Sequence, residues 1–213
     1  SPNRDGVKDR IQFFAQTARN EGVERYLFSV HDKNGNTVFV REGSGQVPGS
    51  FEWDGTITRG PLSGKVQEGD YSAELDILYI NGNNPVSKTS MFNLDITYPK
   101  TGVETQYLLF SPDKDGNRDT VDFVFRNTSH EDEWEIIIRD STGKTVVEQY
   151  EKGSPSGFSW DGRDSRGNMM KNGLYELALQ AEDRAGNRTV KKVGGIELDN
   201  RPTWAIASVE RDG

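Results

Sequence analysis

Short apolar runs along this chain alternate with polar positions at a period of two, and clusters of Gly, Asn and Asp bound them. Thr120–Phe125, Trp134–Ile138 and Tyr175–Leu179 show the alternation plainly, which predicts strands with one buried and one wetted face. No stretch sustains a helical period. Val7–Arg19 places Ile11, Phe14, Ala15 and Ala18 at helical spacing, but an internal repeat decides that ambiguity in favour of a strand.

Ser1-Pro2-Asn3-Arg4-Asp5-Gly6-Val7-Lys8-Asp9 returns as Ser111-Pro112-Asp113-Lys114-Asp115-Gly116-Asn117-Arg118-Asp119, and the two precede Ile11-Gln12-Phe13 and Val121-Asp122-Phe123. The residues after Val121 alternate as a strand, so their counterparts after Ile11 are read the same way. Further matches keep the same order. Phe28–Gly35 answers Ile136–Gly143, Phe51–Gly55 answers Phe158–Gly162, Gly69–Leu75 answers Gly173–Leu179, and Leu94-Asp95 answers Leu198-Asp199. A drifting offset with conserved order is the mark of duplicated modules with loop insertions.

About seven strands per copy, at the 8–12-residue spacing of a sandwich, predict an all-β chain of two tandem immunoglobulin-like antiparallel β-sandwiches. The boundaries read as module 1 over residues 1–98, module 2 over 99–200, and a linker or the start of a third module over 201–213, where Trp204–Ala207 resembles an opening strand. Val103–Phe110 reads as the first strand of module 2. Its counterpart in module 1 would lie before Ser1, so the sequence reads as a piece of a longer repeat array that starts one strand late.

Folding accounts for most of the recurring residues. Trp53 and Trp160 are expected in the cores, where a large ring supplies much of the burial of a small domain. Asp32–Gly35 and Asp140–Gly143 are expected to form hairpin turns, with Asp capping backbone amides and Gly in the left-handed region. The Gly82-Asn83 and Gly186-Asn187 pairs are expected to supply positive φ for a later hairpin, before the closing strands at Phe92 and Ile196.

Composition narrows the function. Apolar residues make up 32% of the 213 positions and the formal charge is −8, a balance that repels a phosphate backbone and argues against nucleic acid as a partner. No run approaches the roughly 18 apolar residues of a membrane span, so direct membrane insertion is not expected. Cysteine is absent, which excludes disulfides and thiolate metal sites. An acidic, Asn/Gly-rich, cysteine-free β protein suits an extracytoplasmic bacterial setting (periplasm, cell surface or secreted), where calcium can do the stapling.

The Asp-rich loop at the head of each module is the one constellation with metal chemistry. Calcium takes six to eight oxygens, and an Asp-x-Asp-Gly turn gathers carboxylates around a sharp bend. Set on the EF-hand spacing, Asp113, Asp115, the Asn117 carbonyl, Asp119 and Asp122 would ligate Ca²⁺ in module 2. Asn3, Asp5, the Val7 carbonyl and Asp9 would do so in module 1, more weakly because Gln12 replaces the last acid. The same residues equally suit an Asx-turn network that holds the loop without metal. Catalysis has no candidate: His31 and His130 lack counterparts in the other copy, no nucleophile elbow or zinc-protease motif exists, and adjacent loop acids such as Glu131–Glu133 do not face each other across a cleft. The expectation is no enzyme activity.

The stretch Phe158-x-Trp160-Asp161-Gly162-Arg163-Asp164-x-x-Gly167-Asn168, followed by Asn172-Gly173-x-Tyr175-x-Leu177-x-Leu179-x-Ala181-x-Asp183-x-Ala185-Gly186-Asn187, resembles the Ig-like domain family of flagellar hook-capping proteins, found as repeats in large bacterial surface proteins. Phe110–Asp119 is similar to the opening motif of modules near the C termini of secreted bacterial proteins. Module 1 departs from the pattern, with Thr56–Gly60 in place of the Arg-Asp-x-x-Gly stretch and a longer Pro61–Glu68 loop. The resemblance implies an extracytoplasmic structural or interaction role, and three readings stay open. The chain is a spacer or scaffold segment partnered by neighbouring modules, a module that binds a protein or glycan at the envelope through edge strands or the Pro61–Glu68 loop, or the stalk of an enzyme whose catalytic domain lies elsewhere.

Overall fold

The computed structural model describes residues 2, 6–58, 64–65, 67–202 and 208. The chain divides into two compact units, Ser1–Tyr98 with Arg184–Asn187 and Pro99–Asp183 with Arg188–Gly213. They are termed modules 1 and 2. Every regular element among the described residues is a strand. The suggested opening strand at Trp204–Ala207 lies outside the described residues.

Module 1 contains β1 (Ile11–Phe14), β2 (Val23–Asp32), β3 (Thr37–Gly43), β4 (Ser50–Trp53), β5 (Thr56–Ile57), β6 (Gly64–Lys65), β7 (Gly69–Tyr79), β8 (Val86–Lys88) and β9 (Phe92–Leu94). Its larger sheet runs β3-β2-β7-β8, and β9 also pairs with β7. Across the core, β1 and β4 form a two-stranded ladder, with Ile11 opposite Trp53 and Phe13 opposite Phe51. Strands β5 and β6 make a separate small ladder, where module 2 has a tight turn.

Module 2 contains β10 (Gly102–Thr105), β11 (Leu109–Phe110), β12 (Val121–Arg126), β13 (Glu131–Asp140), β14 (Thr145–Gly153), β15 (Gly157–Trp160), β16 (Gly173–Glu182) and β17 (Arg188–Leu198). One sheet runs β10-β12-β15 and the other β11-β17-β16-β13-β14. The single strand expected over Val103–Phe110 is therefore two. Its first part lies antiparallel to β12, and its second lies parallel to the end of β17. The opening segment thus changes sheets and supplies one edge strand to each. Tyr107 marks the crossing and donates its hydroxyl to the Thr120 carbonyl at 2.9 Å.

The cores correspond residue by residue. Trp53 and Trp160 are both fully buried. Each indole N–H donates to the carbonyl three residues on, Thr56 at 3.1 Å and Arg163 at 2.8 Å. Each ring also lies against the equivalent tyrosine, Tyr71 at 5.2 Å and Tyr175 at 4.8 Å between centroids. Those tyrosines in turn donate to the carbonyl four residues back, Gln67 and Lys171. An indole buried with its N–H satisfied gains its apolar burial without a desolvation penalty. Phe28, Val30, Tyr71 and Ala73 in module 1, and Ile136, Ile138, Tyr175 and Leu177 in module 2, fill the inward positions of the central strands.

Turn chemistry corresponds as well. Asp32 accepts from the amides of Asn34 at 2.9 Å and Asn36 at 2.8 Å, and Asp140 from those of Thr142 at 2.9 Å and Lys144 at 3.0 Å. Gly35 and Gly143 sit at φ 82° and 85°. The side-chain hydrogen bonds from Asn36 and Thr142, with the amides behind them, hold both carboxyls below the usual carboxylate range. At the start of module 2, the Ser129 amide donates to the Lys100 carbonyl and the Lys100 amide to the Ser129 hydroxyl, both at 2.8 Å, and Thr189 donates to the Pro99 carbonyl at 2.6 Å.

Candidate metal-binding loop

The loop between β11 and β12 is wound by three residues in the left-handed region, Lys114 at φ 71°, Gly116 at 88° and Arg118 at 55°. Two of these are not glycine, so the conformation costs energy that other contacts must offset. Backbone closure comes from the Ser111 amide to the Arg118 carbonyl at 2.9 Å. Asp119 then clamps the turn, accepting from the Lys114 amide at 2.6 Å and the Gly116 amide at 2.9 Å. Asp113 accepts from the Asp115 amide at 3.1 Å, and Asp115 from the Asn117 amide at 2.7 Å. The Arg118 guanidinium lies 5.0 Å above the Tyr107 ring, bracing the loop on the crossing between β10 and β11. Nothing in the sequence singled out Tyr107, because the 103–110 pattern reads as an uninterrupted strand.

Of the residues that spacing nominated, Asp113, Asp115 and Asp119 converge, with one carboxylate oxygen from each within 4.8 Å of the others. Asn117 contributes its amide to Asp115. Asp122 is engaged elsewhere: it lies on β12 opposite Ser159 and accepts from the Ser159 hydroxyl at 2.5 Å and the Thr120 hydroxyl at 3.2 Å. In an EF-hand the twelfth position rides on a helix that curls back to the ion. A strand advances about 3.3 Å per residue and carries it away. In module 1, Asn3 and Asp5 lie outside the described residues. The next stretch of module 1 repeats the module 2 geometry, with Gly6 at φ 90°, Lys8 at 50°, and the Gly6 amide donating to Asp9 at 2.8 Å. Val7 sits between Gly6 and Lys8.

Three carboxylates fall short of a full calcium shell, and water would have to complete it. The arrangement also meets the Asx-turn reading, since each of the three acids accepts from a loop amide. Both descriptions suit one structure: amide hydrogen bonds hold the carboxylates in place, and one oxygen of each lies near the other two.

Other candidate groups are absorbed by turns or strands. Asp54 and Asp161 cap the Thr56 and Arg163 amides at 3.0 and 3.1 Å. Asp164 caps Arg166 and Asn168 around Gly167, and the Asn168 side chain lowers its carboxyl pKa. His31 lies between the hydroxyls of Ser29 at 2.9 Å and Thr37 at 3.2 Å. Of the Pro61–Glu68 loop, proposed from sequence as a binding element, residues 61–63 and 66 lie outside the described residues, and Gly64–Lys65 form β6.

The family model of the FlgD Ig-like domain matches residues 111–185. By that match, module 2 is FlgD-like. The matched span opens on the acidic loop and runs through the buried Trp160 to the hairpin after β16, and the repeat extends the same core to module 1. No match was found among curated proteins. Among solved structures, a tetra-tandem repeat from the extending region of a large adhesion protein is 18% identical. That likeness covers 91% of this chain and 50% of that one, with a TM-score of 0.38, so the chain spans half the length of that relative. Fibronectin(III)-like modules of Clostridium thermocellum CbhA are 11% identical over 95% of this chain and 92% of theirs, at a TM-score of 0.44. A 1.5-MDa bacterial ice-binding adhesin is 11% identical over 89% of this chain and 57% of its own, at 0.36.

Proposed function

We propose that the chain is a non-catalytic spacer or scaffold segment of a repeat-built bacterial envelope or surface protein, and that Asp113, Asp115 and Asp119 hold Ca²⁺ to stiffen module 2. One observation carries the structural reading. The residues that recur between the modules (Trp53 and Trp160, Tyr71 and Tyr175, Asp32 and Asp140, Gly35 and Gly143) are all consumed by core packing and turns, which leaves the repeat preserving a fold instead of a cleft. The absence of cysteine and the acidic balance support an extracytoplasmic setting. The loop has the donor chemistry of a low-affinity calcium site of extracellular type, with Kd on the order of 10⁻⁴ to 10⁻³ M.

Force spectroscopy on the chain held by its ends tests both parts. Two unfolding steps are expected, each lengthening the chain by on the order of 30 nm, the extended length of a module of this size. Millimolar Ca²⁺ should raise the force of one step relative to chelator, and Asp115→Asn, which keeps an oxygen to accept from the Asn117 amide, should abolish that difference. A single step would contradict a two-module spacer. Equal forces with and without Ca²⁺ would remove the ion while leaving the two modules.

A further inference from the structure

The larger sheet of module 2 leaves two stretches of ladder uncovered among the described residues, and their side chains are opposite in charge. Strand β14 ends the sheet. The Ser165 amide donates to the Val146 carbonyl at 3.0 Å and its hydroxyl accepts from the Glu148 amide at 3.3 Å, so these residues turn their ladder groups outward. By alternation Tyr150 does too, and no strand lies opposite it. On the far side of the sheet, β11 pairs only with Glu197 and Leu198 of β17, which leaves Arg188–Lys192 with β16 on one side and no strand on the other. Glu148 and Glu151 lie on β14, with Glu133 and Glu135 on β13. The hydrogen bond to Glu148, with desolvation and the charges of Glu135 and Glu133, pushes the Tyr150 phenol up to about 12. The β17 stretch carries Arg188, Lys191 and Lys192 and no acid.

Register makes the two edges complementary in position as well. One row of the ladder runs from Glu148 through Ile137 and Ala178 to Lys192, and another from Tyr150 through Glu135 and Gln180 to Val190. Tyr150 and Val190 are 53% and 40% exposed. A copy displaced sideways along these rows sets its Glu148 beside Lys192 and its Tyr150 beside Val190, antiparallel like every neighbouring pair from β13 to β17. Opposite-charge and aromatic to β-branched pairs are those that stabilise a ladder. Lys192 already pairs with Glu176 at 2.8 Å, and its ammonium has further donors for a second carboxylate. In module 1 the corresponding rows end in Val40 and Lys88, and in Glu42 and Val86, and match no acid to a base.

We propose that the β14 edge of module 2 takes the Val190–Lys192 edge of a second copy of this chain, so that copies join sideways into one continued sheet. The contact is heterologous, with a different edge for each neighbour, and can repeat without closing. Like charges oppose β14 meeting β14 and β17 meeting β17. About three to five residues a side bury far less than the roughly 1,200–2,000 Å² of a stable complex, so free chains associate weakly and copies held side by side associate well.

The chain has no cysteine, which lets cross-linking be directed. Tyr150→Cys and Val190→Cys chains, mixed at about millimolar concentration and treated with a short bismaleimide, should give the mixed dimer about tenfold or more above either self-dimer. Glu148→Lys in the first chain should abolish that excess, and Lys192→Glu in the second should restore it, which a folding defect in the first chain would not allow. The proposal is overturned if mixed and self-dimers form in the statistical ratio, if a self-dimer predominates, or if the paired charge reversals fail to restore the yield.

Discussion

A Trp160→Ala chain is expected to lose about 4 kcal/mol from module 2, the usual cost of deleting a fully buried tryptophan. Three losses combine. The indole leaves a cavity between Phe110 and Tyr175, whose rings lie 5.3 and 4.8 Å away. Its burial is forfeited, and the Arg163 carbonyl loses its donor at 2.8 Å. Domains of this size are stable by only about 5–15 kcal/mol, so module 2 would approach its threshold. Urea unfolding followed by circular dichroism should show one transition moved down by about 2 M, given slopes of about 1–3 kcal/mol/M, and the other unmoved. Trp53→Ala should move the complementary transition. A shift worth under about 1 kcal/mol in either would mean the ring does not fill a packed core.

The second large effect is expected from Gly162→Ala. Gly162 sits at φ 77°, and a Cβ there would lie 2.7 Å from Leu198 Cδ1 and 3.1 Å from Pro112 Cγ. Leu198 is fully buried and cannot swing clear without disturbing the end of β17. Left-handed strain of about 1–2 kcal/mol adds to overpacking of about 1–3, for a total near about 3 kcal/mol. Gly167 provides the comparison, since it has φ 83° with nothing within 4 Å of a built Cβ. Gly167→Ala should therefore cost only the backbone part, about 1 kcal/mol. Equal losses measured by thermal or urea unfolding would contradict the packing assigned to the Trp-Asp-Gly turn.

Much of this fold is legible in sequence because the repeat preserves residues for distinct physical reasons. Indoles that must be buried, Asp-x-x-Gly turns that need a capping carboxylate and a positive φ, and alternating strands all leave local signatures. The sheet change within 103–110 leaves none, because a strand that crosses from one sheet to the other keeps its apolar character throughout. The division of the closing strand of module 1 into β8 and β9, against the continuous β17, is equally silent. For the acidic loop, spacing identified the three carboxylates that converge. It failed at Asp122, because the EF-hand template assumes a helix where this chain runs straight into β12.

Indole N–H exchange and nuclear Overhauser contacts of Trp53 and Trp160, recorded on the whole chain, bear most directly on the idea that the two halves share one core plan. Both N–H groups should be protected to a similar degree, with contacts from Trp53 to Tyr71 and from Trp160 to Tyr175. Free exchange at either indole, or contacts to unrelated partners in the two halves, would contradict it.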